Sequence, residues 1–158
     1  MTISNYEMVL RLLLAAVIGG VLGFERELRQ KSAGLRTNIL IALGAAVFTL
    51  LSLDLAAGWN ADPARIAAQI VTGIGFLGAG AIMRTDRAIH GLTTAATVWV
   101  NASLGMAAGA GRYGLAIAGA AITTLVLFGI PPFERLMDRL FWNRRGPAAP
   151  PPPPVTGA

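Results

Sequence analysis

The chain has 158 residues, 54% of them hydrophobic and 13% charged, with a mean hydropathy of +0.61, whereas an average soluble domain carries roughly 25% charged residues. That composition leaves no room for a water-soluble enzyme domain, and the absence of cysteine excludes disulfides, thiolate metal ligands and thiol nucleophiles. The net charge of +5 does not mark a nucleic-acid binder, because ten of the thirteen basic residues cluster after alternate apolar runs, on one side of a membrane.

Five runs, near 8–24, 36–54, 64–83, 91–110 and 113–130, approach or reach the roughly 17 to 25 residues a membrane helix needs. The expected fold is therefore an all-α bundle of five transmembrane helices within residues 1–132. In the first run Ala15, Gly19 and Gly23 recur every four residues, a strip on which another backbone can approach. Basic residues follow this run rather than precede it, so it is expected to remain as a helix and not to be a cleaved signal. Arg11 is expected to pair with Glu7 one turn earlier and snorkel outward.

The connection after it concentrates both signs of charge in Glu25, Arg26, Glu27, Arg29, Lys31 and Arg36. This is the candidate interaction or ion site. A plainer role stands beside it: basic residues there set topology, and Glu25 is spaced to pair with Arg29 on an extended helix end. Gly34 is expected to permit the tight turn into the second run. There Asn38, Ala42, Ala45, Thr49 and Ser52 form one small and polar stripe, expected to face protein.

Asp62 followed by Pro63 is an N-cap and first-turn pair that starts the third run. Within it, Gly73, Gly75 and Gly78 fit the G-x-G-x-x-G spacing of a dinucleotide site. That fingerprint needs an acid roughly 20 residues on, yet no Asp or Glu occurs between Arg87 and Phe133. Nucleotide binding is excluded and the glycines are assigned to helix packing. Ala68, Thr72, Gly75 and Ala79 make one strip, and Gln69, Gly73, Phe76 and Gly80 a second. Two strips imply neighbours on two sides, which predicts a central position for this helix and loss of folding on Gly75→Leu or Gly78→Leu.

The fourth run carries Thr94, Thr97, Asn101 and Gly105 on one face, polar groups able to bond across helices. His90 before it is expected to be an interfacial residue. The fifth run has Gly114 and Ala118, and with so many small strips one is expected to be left over for a homodimer through the first or fifth run. Residues 133–145 alternate apolar and charged side chains, as in a short amphipathic helix on the inner leaflet. Residues 146–158 are proline-rich and expected to be disordered.

Ten of the thirteen basic residues follow the first, third and fifth runs. This predicts an outside N-terminus and a cytoplasmic C-terminus, with aromatic anchors at Tyr6, Trp59, Tyr113 and Trp142.

Three stretches, "GFERELRQKSAGLRTNIL", "AAQIVTGIGFLGAGAIM" and "HGLTTAATVWVNASLGMAAG", occur in the order and at the separation found in the MgtC/SapB family of bacterial inner-membrane proteins. The chain resembles that family over roughly residues 5–130. The resemblance implies a multi-pass inner-membrane domain, an association with virulence and survival inside macrophages, and a role in adaptation to low magnesium. Many members add a soluble cytoplasmic domain, which this sequence does not reach. A virulence-associated member has Asn at the position of Thr93 and Cys at that of Val100, so roles tied to those side chains do not carry over.

Two functions of different class follow. One is regulation through docking against another membrane complex, which the resemblance suggests is the proton-translocating ATP synthase. The other is a cation transporter or channel for Mg²⁺. Mg²⁺ requires oxygen ligands and sheds water reluctantly, and no carboxylate sits at mid-membrane depth, so a path would rest on Asn38, Thr94, Thr97, Asn101 and backbone oxygens, with Thr72 a further intramembrane polar residue. Regulation is favoured. No nucleophile and base pair can be assembled, so no enzymatic activity and no cofactor is expected. The sequence assigns no metal site.

Overall fold

The computed structural model describes residues 3–59, 62, 64–85, 88–137 and 141. Among the described residues five helices run in chain order: α1 Asn5–Leu28, α2 Leu35–Trp59, α3 Ala64–Gly80, α4 Leu92–Gly109 and α5 Tyr113–Met137. Added to the expected all-α bundle is a two-stranded antiparallel ribbon between α3 and α4, β1 Met83–Arg84 and β2 Ile89–His90, with Met83 opposite His90.

The helix starts have local causes. Ser4 caps α1 by accepting the Glu7 N–H at 3.2 Å. Asp62 accepts the Ala64 N–H at 2.8 Å, as expected for the start of α3. Gly91 precedes α4 at φ +86°, and a Cβ there would lie 1.9 Å from the Ala81 carbonyl oxygen, so only glycine fits. Gly34 plays a different part from the one expected. The left-handed residues of the α1–α2 turn are Gln30 and Ala33. At Gly34 a Cβ would sit 2.0 Å from a Glu27 carboxylate oxygen, and that carboxylate caps α2 by accepting the Leu35 N–H at 3.0 Å.

Three stretches are long and apolar enough to cross a membrane: Asn5–Leu28, Leu35–Ala57 and Tyr113–Glu134. α3 is apolar but has 17 residues. α4 has the least need of apolar surface, because it is the helix the others surround, touching α1, α2, α3 and α5. One apolar cluster (including Ala15, Leu22, Ala42, Ala46, Leu104 and Ala108) joins α1, α2, α4 and α5. A second (Ile41, Ala45, Ile70, Ile74, Val98 and Ala102) joins α2, α3 and α4.

The central position expected for α3 therefore belongs to α4. Ala68, Thr72, Gly73, Gly75, Phe76, Ala79 and Gly80 are exposed on α3. Side chains added at Gly73, Gly75 or Gly80 would meet nothing within 4 Å, and one at Gly78 would only touch Ala95 at 3.7 Å. The physical reason is solvation: an apolar helix with glycines can face lipid, whereas one bearing Thr94, Thr97 and Asn101 must be covered by protein.

The close packing lies elsewhere. A Cβ at Gly19 would fall 2.5 Å from the Asn38 carbonyl oxygen, and at Gly23 2.8 Å from the Leu35 Cα. At Gly105 it would fall 2.3 Å from the Ala42 carbonyl oxygen, and at Gly109 2.7 Å from that of Ala46. The α1 strip expected as a dimer candidate is thus occupied by α2 within the protomer. The α2 stripe from Asn38 to Ser52 is buried throughout, as expected.

α5 runs through Pro131 and Pro132 without a break. Residues 133–137, assigned from sequence to a separate surface helix, continue α5. The rest of the 133–145 segment apart from Phe141, and all of the 146–158 tail, lie outside the described residues.

Candidate functional site

α1 outruns its apolar stretch and carries Glu25, Arg26 and the adjacent Arg29 to the start of α4. Glu25 is 1% exposed and Arg26 3% exposed. Charged side chains this buried must be paired, since an isolated charge in a low-dielectric interior costs several kcal/mol or more. Glu25 Oε1 meets Arg29 Nε at 2.5 Å, the expected one-turn pair. Arg26 Nη2 donates to Thr94 Oγ1 at 2.5 Å, tying α1 to the first turn of α4, and Ser32 Oγ lies 3.4 Å from the same hydroxyl.

Arg29 also reaches α5. Its Nη2 donates to the Phe128 carbonyl at 3.5 Å, and its guanidinium lies 5.8 Å from the Phe128 ring centre. That carbonyl needs an outside donor because Pro132, four residues on, has no N–H to give it. The proline kept inside α5 and the arginine of α1 are two halves of one contact.

Deeper in the bundle, Asn38 Nδ2 donates to the carbonyls of Ala33 at 2.5 Å and Gly34 at 3.0 Å. Asn101 Nδ2 donates to the Asn38 backbone oxygen at 2.7 Å and to its Oδ1 at 3.1 Å. Both asparagines are fully buried. A polar column therefore lies along the buried face of α4 in two parts, Thr94 bonded to Arg26 and, seven residues on, Asn101 bonded to Asn38. Among the described residues three buried side-chain atoms here lack a hydrogen-bond partner: Glu25 Oε2, Arg26 Nε and Asn101 Oδ1.

At the opposite end Arg11 Nε pairs with Glu7 Oε1 at 3.0 Å, as expected, but the guanidinium does not snorkel outward. Its Nη1 donates to the Gly109 carbonyl at 3.0 Å, closing the end of α4, and the Tyr113 hydroxyl donates to Glu7.

Of the charged residues singled out by sequence, Glu25, Arg26, Arg29 and Lys31 line one cavity of about 1010 Å³. Glu27 caps α2 instead, and Arg36 is exposed outside the cavity. Of the polar residues, Thr94, Asn38 and Asn101 join the column. Thr97 is buried but bonds the Thr93 carbonyl of its own helix at 2.8 Å, and Thr72 is exposed on α3. The cavity also includes His90, Thr93 and Glu134, which sequence reasoning did not attach to the site. No spacing links them to Glu25; they arrive from the ribbon, α4 and α5. Among the described residues no group of three or more His, Cys, Asp or Glu is placed to hold a metal ion.

A sequence model described as the MgtC family matches residues 12–136. The chain is 49% identical over 130 residues to the "Putative magnesium transporter YhiD" of Escherichia coli strain K12, an alignment covering 77% of this chain and 59% of that protein. It is 51% identical over 114 residues to the "Protein MgtC" of Salmonella typhimurium strain LT2, covering 72% of this chain and 48% of that one. An uncharacterized protein of Synechocystis is 41% identical over 132 residues, covering 84% and 56%. The chain thus spans about half to three fifths of the length of these relatives. No solved structure matches. With three helices long and apolar enough to cross a membrane and a family match over most of its length, this chain is a membrane protein and belongs to the MgtC family.

Proposed function

We propose that the chain is a regulatory module of the bacterial inner membrane, serving adaptation to low magnesium by docking against another membrane complex rather than by carrying the ion. The magnesium link rests on the family and on the printed name of the Escherichia coli relative. The observation that favours docking over transport is the seal between α1, α2 and α4. At Gly19, Gly105 and Gly109 an added methyl carbon would lie 2.3 to 2.7 Å from a carbonyl oxygen of α2. A Mg²⁺ ion, which keeps several of its waters, has no passage there. The carboxylate at the head of the polar column is already held by Arg29 through one oxygen, so it offers at most its other oxygen to a divalent ion that demands near-octahedral oxygen coordination.

The exposed small-residue strip of α3 is the surface this reading assigns to the partner, with the proton-translocating ATP synthase as the candidate that the family resemblance suggests. Self-association through the same strip or through Gly114 and Ala118 of α5 gives the homodimer form of the reading. Purified protein in liposomes is expected to give no saturable flux of Mg²⁺, Na⁺ or protons. A photo-crosslinker at Gly75 in cells is expected to capture a membrane protein, with a second copy of this chain indicating the homodimer. Saturable flux without any crosslink would reverse the choice in favour of transport. The accompanying orientation, N-terminus outside and the Glu25 end cytoplasmic, predicts that reporter fusions after Arg112 read outside and those after Lys31 read inside; the converse pattern inverts it.

A further inference from the structure

The cavity at the Glu25 end is lined by two buried side chains that each keep one polar atom without a hydrogen-bond partner in the described protein. Arg26 Nε and Glu25 Oε2 belong to side chains 3% and 1% exposed, both lining that cavity. A third feature converges there. The N-cap of α4 is Gly91, which has no side chain to bond the first N–H groups of the helix, and Gly91, Thr93 and Thr94 line the same space. An open helix N-terminus beside an unused arginine N–H is suited to an anion with several acceptor oxygens.

A simple anion does not fit the whole site. The cavity wall combines Arg26, Arg29 and Lys31 with Glu25 and Glu134, so a ligand complementary to it carries both signs. The remaining wall is apolar: Leu28, Leu92, Val126 and Ile130 line it and are 61%, 57%, 45% and 46% exposed. In a membrane-spanning bundle such a wall, beside the end of α1 and the last turns of α5, faces acyl chains near headgroup depth.

We propose that this cavity binds a phosphate ester carrying a protonated primary amine. The phosphate accepts from Arg26 Nε and the first N–H groups of α4, and the ammonium donates to Glu25 Oε2. The chemistry is that of the phosphatidylethanolamine headgroup or of free phosphoethanolamine, and the apolar wall favours the lipid. The inference is independent of whether the protein regulates or transports, since it concerns only what fills the cavity.

The test is thermal unfolding of the full chain in nanodiscs of phosphatidylcholine, phosphatidylglycerol or phosphatidylethanolamine with matched acyl chains. Phosphatidylcholine keeps the phosphate but has no N–H, and phosphatidylglycerol keeps the phosphate but has no cation. Phosphatidylethanolamine is expected to raise Tm by about 5 °C over both, the size expected for a site occupied far above its dissociation constant. Glu25→Gln is expected to abolish that difference, whereas Glu7→Gln at the opposite end keeps it, which separates a site from a bulk bilayer effect. Phosphoethanolamine added to phosphatidylcholine discs distinguishes the sources: a matching rise assigns the free ester, and no rise beside a lipid effect assigns the headgroup. Equal Tm in all three lipids, or an advantage that survives Glu25→Gln, overturns the proposal. Should Glu25→Gln fail to fold, Leu92→Trp, which narrows the cavity from an exposed position on its apolar wall, takes its place: it is expected to remove the lipid difference, and a difference that survives it overturns the proposal.

Discussion

Gly105→Leu is expected to abolish folding in detergent or bilayer, and even Gly105→Ala to cost about 3 kcal/mol or more, while Gly75→Leu stays within about 0.5 kcal/mol of the parent. The two glycines are on helices of similar composition, but their surroundings are opposite. A Cβ at Gly105 would stand 2.3 Å from the Ala42 carbonyl oxygen and 2.9 Å from the Ala42 Cα, backbone atoms that can move only if α2 and α4 separate. Separation would in turn break the Asn101 hydrogen bonds to Asn38 and open the alanine-rich core, whose small side chains cannot spread to fill a gap. At Gly75 nothing lies within 4 Å. Replacing a helix-interior glycine there even gains part of the roughly 1 kcal/mol of helix propensity. This reverses the expectation that the third run's glycines hold the fold. Denaturant titration of the purified variants decides it, and a Gly75→Leu protein as unstable as Gly105→Ala would show that α3 is packed far more tightly than described.

Arg29→Ala is expected to cost about 3 to 5 kcal/mol, the range for breaking a buried ion pair from one side. Its loss leaves the Glu25 carboxylate, 1% exposed, without the partner at 2.5 Å. It also removes the donor to the Phe128 carbonyl, which Pro132 cannot serve. The partial exposure of Arg29, 28%, sets the cost toward the lower end, because water can approach from its side. Removing both charges with Glu25→Leu and Arg29→Leu is expected to recover most of the loss, as an apolar pair needs no desolvation. Lys31→Ala, on an exposed residue, should change stability by less than about 0.5 kcal/mol. A double-mutant cycle on the purified chain gives the coupling directly; additive effects of the two single changes would remove the ion pair from the account.

The same contrast shows what was legible in the sequence. Hydropathy and length disclosed the five helices, and helical spacing disclosed that the Asn38 to Ser52 stripe of α2 faces protein, because both follow from local periodicity and the cost of bare polar groups in lipid. The Asp62 cap and the Glu25–Arg29 and Glu7–Arg11 pairs were readable for the same reason: each partner lies within about one helical turn of the other.

Which helix sits at the centre was not readable from glycines. Small-residue strips occur on α1, α2, α3 and α5 alike, and a strip does not name its neighbour. The polar content of α4 was the better signal, since lipid tolerates Gly73 and Gly75 but not Asn101. Only the tertiary structure could decide that Arg29 answers the carbonyl freed by Pro132, that Arg11 turns inward to Gly109, or that His90 and Glu134 join Glu25 around one cavity. Those contacts bridge residues far apart along the chain, and their geometry depends on how α1, α4 and α5 lean together. The periodicity that determined each helix carries no record of that arrangement.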